Sequence, residues 1–157
     1  MTSASVIPVR KATGDDLSAL VTLEVATFHS DRISRAQWCR HIASDSACVL
    51  VAGTKGRIDG AVVMFRRRRS SRARVYSLAV AAAARGRGVA SALLAGAEAE
   101  ALRRGCDTLY LEVRTDNRAA IALYERRGYR RMDRRVAFYE DGADAWRYAK
   151  ALTTVTR

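Results

Sequence analysis

The chain has 157 residues, of which 49% are hydrophobic and 28% are charged, and its formal net charge is +12 at pH 7. This size and balance predict a single domain, residues 1–157, and exclude a membrane protein, because no run reaches the roughly 18 apolar residues of a span. The excess charge does not predict a specific nucleic-acid site, because the arginines that cause it are spread along the chain. Residues 1–10 lack a basic start followed by an apolar segment, so we expect a cytoplasmic protein.

Hydrophobic periodicity and turn residues predict elements in the order β, α, α, β, β, β, α, β, α, β, β. The order predicts an α/β sandwich with a mixed sheet. Strands are predicted at residues 5–10, 47–52, 58–65, 74–80, 108–113, in a short stretch from 129, and at 145–152; helices are predicted from a cap at 13–16 to about 28, after Ser34, at 89–104 and at 118–127.

The cysteines predict neither a disulfide framework nor a metal site. Cys39, Cys48 and Cys106 are odd in number and widely spaced, and no CxxC spacing or histidine cluster accompanies them. We interpret all three as buried thiols.

Residues 85–91, which read Arg-Gly-Arg-Gly-Val-Ala-Ser, lie between a predicted strand and the longest predicted helix. Glycines let the backbone N–H groups of such a turn point inward, and the first N–H groups of a helix have no intrahelical acceptor. Together with the helix dipole, these donors form a seat for phosphate or pyrophosphate. The glycine spacing alone fits an ordinary helix entry equally well.

The second informative stretch is the strand at residues 108–113 and the helix that follows it. Leu109, Leu111 and Val113 share one face of this strand, which leaves Tyr110 and Glu112 together on the other face. Glu112 fits a strand residue that is paired with one of the many arginines.

Together the two stretches resemble the GNAT family of N-acetyltransferases. Arg85, Gly88 and Ala90 match the pyrophosphate-loop pattern of the family, and residues 111–129 are similar to its bacterial ribosomal-protein alanine N-acetyltransferase branch. The resemblance covers about residues 5–152 and implies a three-layer α/β/α sandwich, whose mixed, mostly antiparallel sheet is splayed at the cofactor cleft. It also implies acetyl-CoA as donor, CoA as product and a primary amine as acceptor.

The resemblance carries roles onto individual residues. It implies that Glu112 is the general base, that Tyr124 protonates the departing thiolate, and that the N–H group of Leu78 donates to the oxyanion. The four alanines at residues 81–84 depart from the family, which often has a proline there. The cofactor-binding set that the resemblance implies is Leu78, Val80, Arg85, Gly86, Arg87, Gly88, Val89, Ala90, Ser91, Asn117 and Tyr124.

The chemistry of amine acetylation asks for these residue types. An amine is mostly protonated at neutral pH, so a carboxylate must accept a proton before or during attack, directly or through a water. A fixed N–H donor to the oxyanion contributes about 3 kcal/mol. Tyr124 also fits a packing role between helix and sheet. Phe28, Ile33 and Tyr139 lie where the family usually shapes the acceptor pocket, and we expect them to contact the acceptor.

The sequence thus predicts an acetyl-CoA-dependent N-acetyltransferase that acts on a protein N-terminus or another peptide amine. A small-molecule amine acetyltransferase and a non-catalytic CoA-binding sensor module stay open as alternatives. Dimers are common in the family, so a homodimer also stays open. The first forty residues, which should decide the acceptor, are the least diagnostic part of the chain.

Overall fold

The computed structural model describes residues 6–54 and 56–153. It contains seven strands in one sheet and four α-helices, in the predicted order. The strands are β1 Val9–Lys11, β2 Ala47–Thr54, β3 Arg57–Arg66, β4 Arg72–Val80, β5 Thr108–Arg114, β6 Arg130–Arg135 and β7 Ala145–Ala151, and the helices are α1 Leu17–Thr27, α2 Arg35–Ala43, α3 Val89–Arg103 and α4 Arg118–Arg126.

The strands lie in the order β1-β2-β3-β4-β5-β7-β6. The pair β4–β5 is parallel and α3 connects its strands, whereas the other neighbours are antiparallel. The sheet is therefore mixed and mostly antiparallel, as predicted. The carboxyl end of β4 leads directly into the turn before α3, which is where open α/β sheets hold their ligands.

Two apolar clusters make the sheet the middle of three layers. One joins α3 and α4 to the sheet from β2 to β7, and the other joins α1 and α2 to β2, β3 and β4. Leu93, Leu94 and Ala97 of α3 are fully buried, in agreement with the stripe that their spacing predicts. The predicted α/β/α sandwich is confirmed.

Gly60 lets α3 approach the sheet closely. A Cβ atom at this position of β3 would lie 2.8 Å from Cγ1 of Val89 and 3.0 Å from Cδ1 of Leu93, in the first two turns of the helix. It would also lie 2.9 Å from the carbonyl oxygen of Ala79 on β4. The absence of a side chain at Gly60 therefore sets the height of the amino end of α3 above β3 and β4.

The sequence-based expectations differ from the structure at a few places. The first strand covers Val9–Lys11 instead of residues 5–10, and residue 5 lies outside the described residues. Cys48 and Cys106 are buried as expected, but Cys39 is exposed on α2, so the interpretation of all three as buried thiols is wrong. In residues 6–54 and 56–153, no helix is long and apolar enough to cross a membrane.

Candidate active site

The sheet opens between β4 and β5. These strands are paired from Arg72 opposite Thr108 to Val75 opposite Leu111. β4 then continues to Val80 and β5 to Arg114 without further pairing between them in the part of the chain that the structure describes. The two strands therefore diverge toward their carboxyl ends and leave a cleft.

The backbone of β4 presents hydrogen-bonding groups to this cleft. The N–H group of Ala81 donates to the carbonyl oxygen of Asp59 at 2.8 Å, so this residue pair occupies a hydrogen-bonded position of the ladder between β3 and β4. Paired and unpaired positions alternate along an antiparallel ladder, and the register places Leu78 and Val80 at the alternate positions. Their N–H and C=O groups thus point away from β3, toward the cleft.

The turn after β4 exposes a row of backbone donors. Gly86 and Gly88 have φ values of +80° and +83°, a left-handed conformation that glycine adopts without a steric penalty. Gly88 precedes α3, and the first helical hydrogen bond runs from the Ala92 N–H group to its carbonyl oxygen at 3.0 Å. The N–H groups of residues 89–91 therefore have no acceptor within the helix.

The four alanines that depart from the family pattern form an ordered turn. Ala82–Ala84 is a 3-10 helix, and the N–H group of Ala84 donates to the carbonyl oxygen of Ala81 at 2.9 Å. Arg85 and Arg87 are exposed around the glycines. The turn therefore places two guanidinium groups beside the backbone donors without a proline.

Glu112 lies on β5 next to the cleft, with its side chain only 3% exposed. Its Oε1 atom accepts a hydrogen bond from Nε of Arg74 at 2.7 Å, and its Oε2 atom accepts one from Nε of Arg147 at 3.0 Å. Nη2 of Arg74 also lies 2.6 Å from Oε1, and since each carboxylate oxygen has about two acceptor positions, a position is left on Oε2. The carboxylate is thus fixed by two guanidinium groups while it can still accept a further proton donor.

Tyr124 is buried on α4, with 7% of its surface exposed. Its ring meets that of Tyr129 edge to face at a centroid distance of 5.9 Å, and burial raises the pKa of its hydroxyl above the usual range. A thiol has a pKa of about 8.5, so complete proton transfer from this phenol to a thiolate is unfavourable. Tyr124 is better suited to donate a hydrogen bond to a developing thiolate than to give up its proton.

Tyr139 joins the same group of residues from the turn between β6 and β7. Burial, followed by the charge of Glu112, raises the pKa of its hydroxyl to about 12, and Tyr139 also interacts electrostatically with Tyr124. The guanidinium carbon of Arg114 lies 5.0 Å from its ring centroid. Tyr139 thus interacts electrostatically with both Glu112 and Tyr124, which are far from it in the sequence.

The segment at residues 28–33 is fastened to this turn. The N–H group of Asp31 donates to Oε2 of Glu140 at 3.2 Å, and the N–H group of Glu140 donates to Oδ2 of Asp31 at 3.1 Å. Phe28 is partly buried against the cluster of α1 and α2, and Ile33 is only 5% exposed within that cluster. Ile33 therefore has a packing role, and its predicted contact with the acceptor stays a prediction.

Asn117 and Ser91 each have a structural partner. The Oδ1 atom of Asn117 caps α4 by accepting from the N–H group of Ala120 at 3.2 Å. The hydroxyl of Ser91, in the first turn of α3, accepts from Nη1 of Arg127 at 2.9 Å. These bonds orient both side chains, and their predicted contacts with the cofactor stay predictions.

The sequence model described as "Acetyltransferase (GNAT) family" matches residues 17–129 of the chain. The chain belongs to the GNAT family. Among curated relatives, N-alpha-acetyltransferase MAK3 of Arabidopsis thaliana is 37% identical over 95 residues, which are 59% of this chain and 50% of that protein. The matched segment thus spans about half the length of this relative.

Solved GNAT structures match almost the whole chain. The ribosomal-protein-S18-alanine N-acetyltransferase of Escherichia coli is 25% identical with a TM-score of 0.81, and 96% of each chain is covered. A chain of the NatC complex bound to Gag peptide and CoA is 26% identical with a TM-score of 0.79, over 95% of this chain and all of that one. The GNAT fold implied by the sequence is confirmed.

The cleft fits the thioester cofactor of a GNAT protein. The outward N–H and C=O groups of Leu78 and Val80 suit the amides of a pantetheine arm, because an extended amide chain pairs with a strand edge. The left-handed glycines and the amino end of α3 suit a pyrophosphate. The described residues therefore fit both the pantetheine arm and the pyrophosphate of CoA.

Three features of the site escaped the sequence analysis. Arg74 and Arg147 reach Glu112 only because the register places β4 and β7 on either side of β5. Gly60 carries no sequence signal beyond being a glycine within a strand. Arg127 follows α4 and connects Ser91 to the buried carboxylate of Glu98, to which its Nη2 atom donates at 3.1 Å.

Proposed function

We propose that the protein is an acetyl-CoA-dependent N-acetyltransferase whose acceptor is a protein N-terminus or another peptide amine. One observation carries the proposal: the cleft between β4 and β5 has the glycine turn at one end and Glu112, Tyr124 and Tyr139 at its side. A phosphate seat and a set of proton-transfer groups thus border the same opening. The names of the relatives, which include N-alpha-acetyltransferases, support the same activity.

When bound, acetyl-CoA supplies the acetyl group as a thioester, and the transfer forms a C–N bond to the acceptor amine as the C–S bond breaks. In this proposal the N–H group of Leu78 donates a hydrogen bond to the carbonyl oxygen as negative charge develops there, which contributes about 3 kcal/mol. Val80 and the turn at residues 86–91 hold the rest of the cofactor. Fixing both reactants in one cleft removes much of the entropic barrier.

Glu112 accepts the proton that the amine loses, directly or through a water, on an acceptor position that its arginines leave free. Arg74 and Arg147 hold the carboxylate in one orientation, so that in each catalytic cycle its free acceptor position points toward the amine. Tyr124 donates a hydrogen bond to the sulfur as it departs, and the thiolate takes its proton from solvent, because thiolates are good leaving groups.

The double ion pair of Glu112 favours a second candidate, a CoA-binding module without catalysis. In that case Arg74 and Arg147 serve only to neutralise a strand carboxylate, as structural ion pairs do elsewhere. The two candidates share the CoA site and differ in whether an acetyl group leaves it. A small-molecule amine as acceptor stays open for the same reason, since the cofactor half of the site does not select the amine.

Thiol release from acetyl-CoA separates these candidates. The protein is incubated with acetyl-CoA and either a panel of peptides or a panel of small amines, and products are identified by mass spectrometry. We expect release above the blank without amine, together with acetylated peptide. Binding of acetyl-CoA by calorimetry without any turnover would support the module, and turnover with small amines alone would contradict a peptide acceptor.

A further inference from the structure

Half of the sheet has one face that no helix covers. The core under α1 and α2 contains residues of β2, β3 and β4 and, among the described residues, none of β5, β6 or β7. On the opposite side, Leu109, Leu111 and Tyr148 are buried under α3 and α4. We call the uncovered side of β5, β7 and β6, together with residues 72–76 of β4, the open face.

The strand register shows which side chains share the open face. Opposite residues of neighbouring strands point to the same side of a sheet. One row across the four strands therefore contains Arg74, Tyr110, Ala149 and Arg130, and the next row contains Glu112, Arg147 and Asp133. Glu112, the proposed base, thus belongs to the open face, where its side chain is ion-paired with Arg74 and Arg147 and only 3% exposed.

The open face is cationic. The rows that pair with β5 and β7 bring six arginines to it but only the two carboxylates of Glu112 and Asp133. The side chains of Arg72 and Arg130 are exposed and form no ion pair among residues 6–54 and 56–153. The arginines are Arg72, Arg74, Arg114, Arg130, Arg135 and Arg147, of which Arg114 is ion-paired with Asp141 of the turn between β6 and β7.

Aromatic rings orient part of this charge. The guanidinium carbon of Arg74 lies 5.5 Å from the ring centroid of Tyr76, and that of Arg147 lies 5.1 Å from the ring centroid of Tyr110. Tyr76 is 41% exposed. A guanidinium group stacked on a ring keeps its edge donors free for carboxylate oxygens.

We propose that the acceptor is an acidic polypeptide, whose carboxylates after the acetylated amine bind to the open face. The inference rests on the proposed function and names the substrate class of that same site. Arg130 is two strands away from Glu112 and one row along, which together is about 12 Å at a strand spacing of about 4.8 Å and a rise of about 3.3 Å per residue. An extended peptide covers that distance in about four residues. Carboxylates at the third to fifth positions of the acceptor therefore reach Arg130.

Continuity with Glu112 favours a polypeptide over a nucleic acid. Arg74 and Arg147 belong to the open face and also contact Glu112, the proposed base. A polypeptide whose amine lies at Glu112 would therefore continue directly over these arginines. Single-stranded RNA also binds cationic surfaces that carry aromatic residues. Unlike a polypeptide, however, an RNA strand does not end in a primary amine that could enter the cleft. The RNA therefore serves as a competitor in the test.

The test compares three peptides of equal length with the same first residue and with acidic, neutral or basic residues at positions three to five. We expect kcat/KM to be about tenfold higher for the acidic than for the neutral peptide at low salt, and lowest for the basic one. The preference should shrink as salt is added, because exposed charges are screened. Equal kcat/KM values for all three peptides would overturn the proposal.

Variants locate the effect. Arg72→Gln combined with Arg130→Gln should remove most of the preference for the acidic peptide and leave kcat/KM for the neutral peptide within about twofold. Arg35→Gln combined with Arg40→Gln, on the exposed side of α2, removes the same charge elsewhere and should leave the preference intact. If both double variants lost the preference for the acidic peptide equally, the proposal would be overturned, because the net charge of the protein would then explain that preference.

Two further outcomes are decisive. Inhibition of neutral-peptide acetylation by oligouridylate at lower concentrations than by an amino-blocked acidic peptide would assign the open face to RNA and overturn the proposal. Acetylation of the neutral peptide is the separate measure of the proposed function. If the neutral peptide is acetylated without any acidic preference, only the inference about the open face fails.

Discussion

Replacing Gly60 by alanine tests whether the close contact between α3 and the sheet positions the cofactor seat. The new Cβ atom meets Cγ1 of Val89 at 2.8 Å, Cδ1 of Leu93 at 3.0 Å and the carbonyl oxygen of Ala79 at 2.9 Å. The first two atoms end side chains of α3, but the third belongs to the backbone of a central strand. The helix can therefore move away, whereas β4 cannot without breaking its ladder.

The magnitude follows from overpacking in a filled core, which typically costs about 1–3 kcal/mol. Alanine in a strand recovers part of this, about 0.5–1 kcal/mol relative to glycine. We expect a net loss of about 1–2 kcal/mol, or about 2–8 °C in Tm for a chain of this size. Because Val89 is the first residue of α3, its displacement moves the N–H groups of the proposed pyrophosphate seat.

Thermal unfolding and steady-state kinetics measure the two effects. We expect Gly60→Ala to raise KM for acetyl-CoA more than KM for the acceptor peptide. Gly96→Ala is the control in the same helix, where the new Cβ meets only side-chain ends of Leu50 and Val9, at 3.1 and 3.2 Å, away from the turn. An unchanged Tm and an unchanged KM for acetyl-CoA in Gly60→Ala would refute the reasoning.

Four further outcomes follow from the site and its surroundings. Glu112→Gln should lower kcat throughout pH 6–9 and destabilise the fold by about 1–2 kcal/mol, because two guanidinium groups lose their counter-charge; full turnover across that range would exclude Glu112 as the base. Tyr124→Phe should lower kcat only about tenfold in steady-state assays, because the raised pKa of its hydroxyl limits it to a hydrogen bond. Gly88→Ala should weaken acetyl-CoA binding in calorimetry, since an L-residue pays about 1–2 kcal/mol in this left-handed conformation. The pKa of Glu100 is lowered to about 2, chiefly by its hydrogen bond from Arg103, so its stabilisation is complete above pH 4.5 and disappears as the pH falls toward 2. Between pH 4.5 and 2, the free energy of unfolding of Glu100→Gln should fall by about 1 kcal/mol less than that of the unsubstituted protein. The figure is kept this small because the Arg103 side chain is exposed to solvent.

The order of elements was predictable because each element has a strong local pattern. The alternation of residues 108–113 correctly placed Glu112 and Leu111 on opposite faces of β5. The glycine turn identified the start of α3 within one residue. Local patterns contain no register, however. Arg74 and Arg147 are 38 and 35 residues from Glu112 in sequence, so only the pairing of three strands brings them together.

Burial was harder to predict than secondary structure. Cys39 lies one residue after the buried Trp38, and a rotation of about 100° per residue places the two on different sides of α2. The N–H group of Ile33 donates to the buried carboxylate of Glu24 at 2.8 Å and its side chain packs into the core, which the sequence did not reveal, whereas its expected contact with the acceptor stays a prediction. Whether a loop residue points inward depends on such tertiary contacts, which no local spacing encodes.

Mass spectrometry of a peptide incubated with the protein and acetyl-CoA distinguishes acetyl transfer from binding of the cofactor alone. Two peptides are compared, one with a free N-terminus and no lysine, and one with a blocked N-terminus and a lysine. The account predicts a mass increase of one acetyl group on the first peptide, with release of one equivalent of thiol. Unmodified peptides in the presence of bound acetyl-CoA would contradict it.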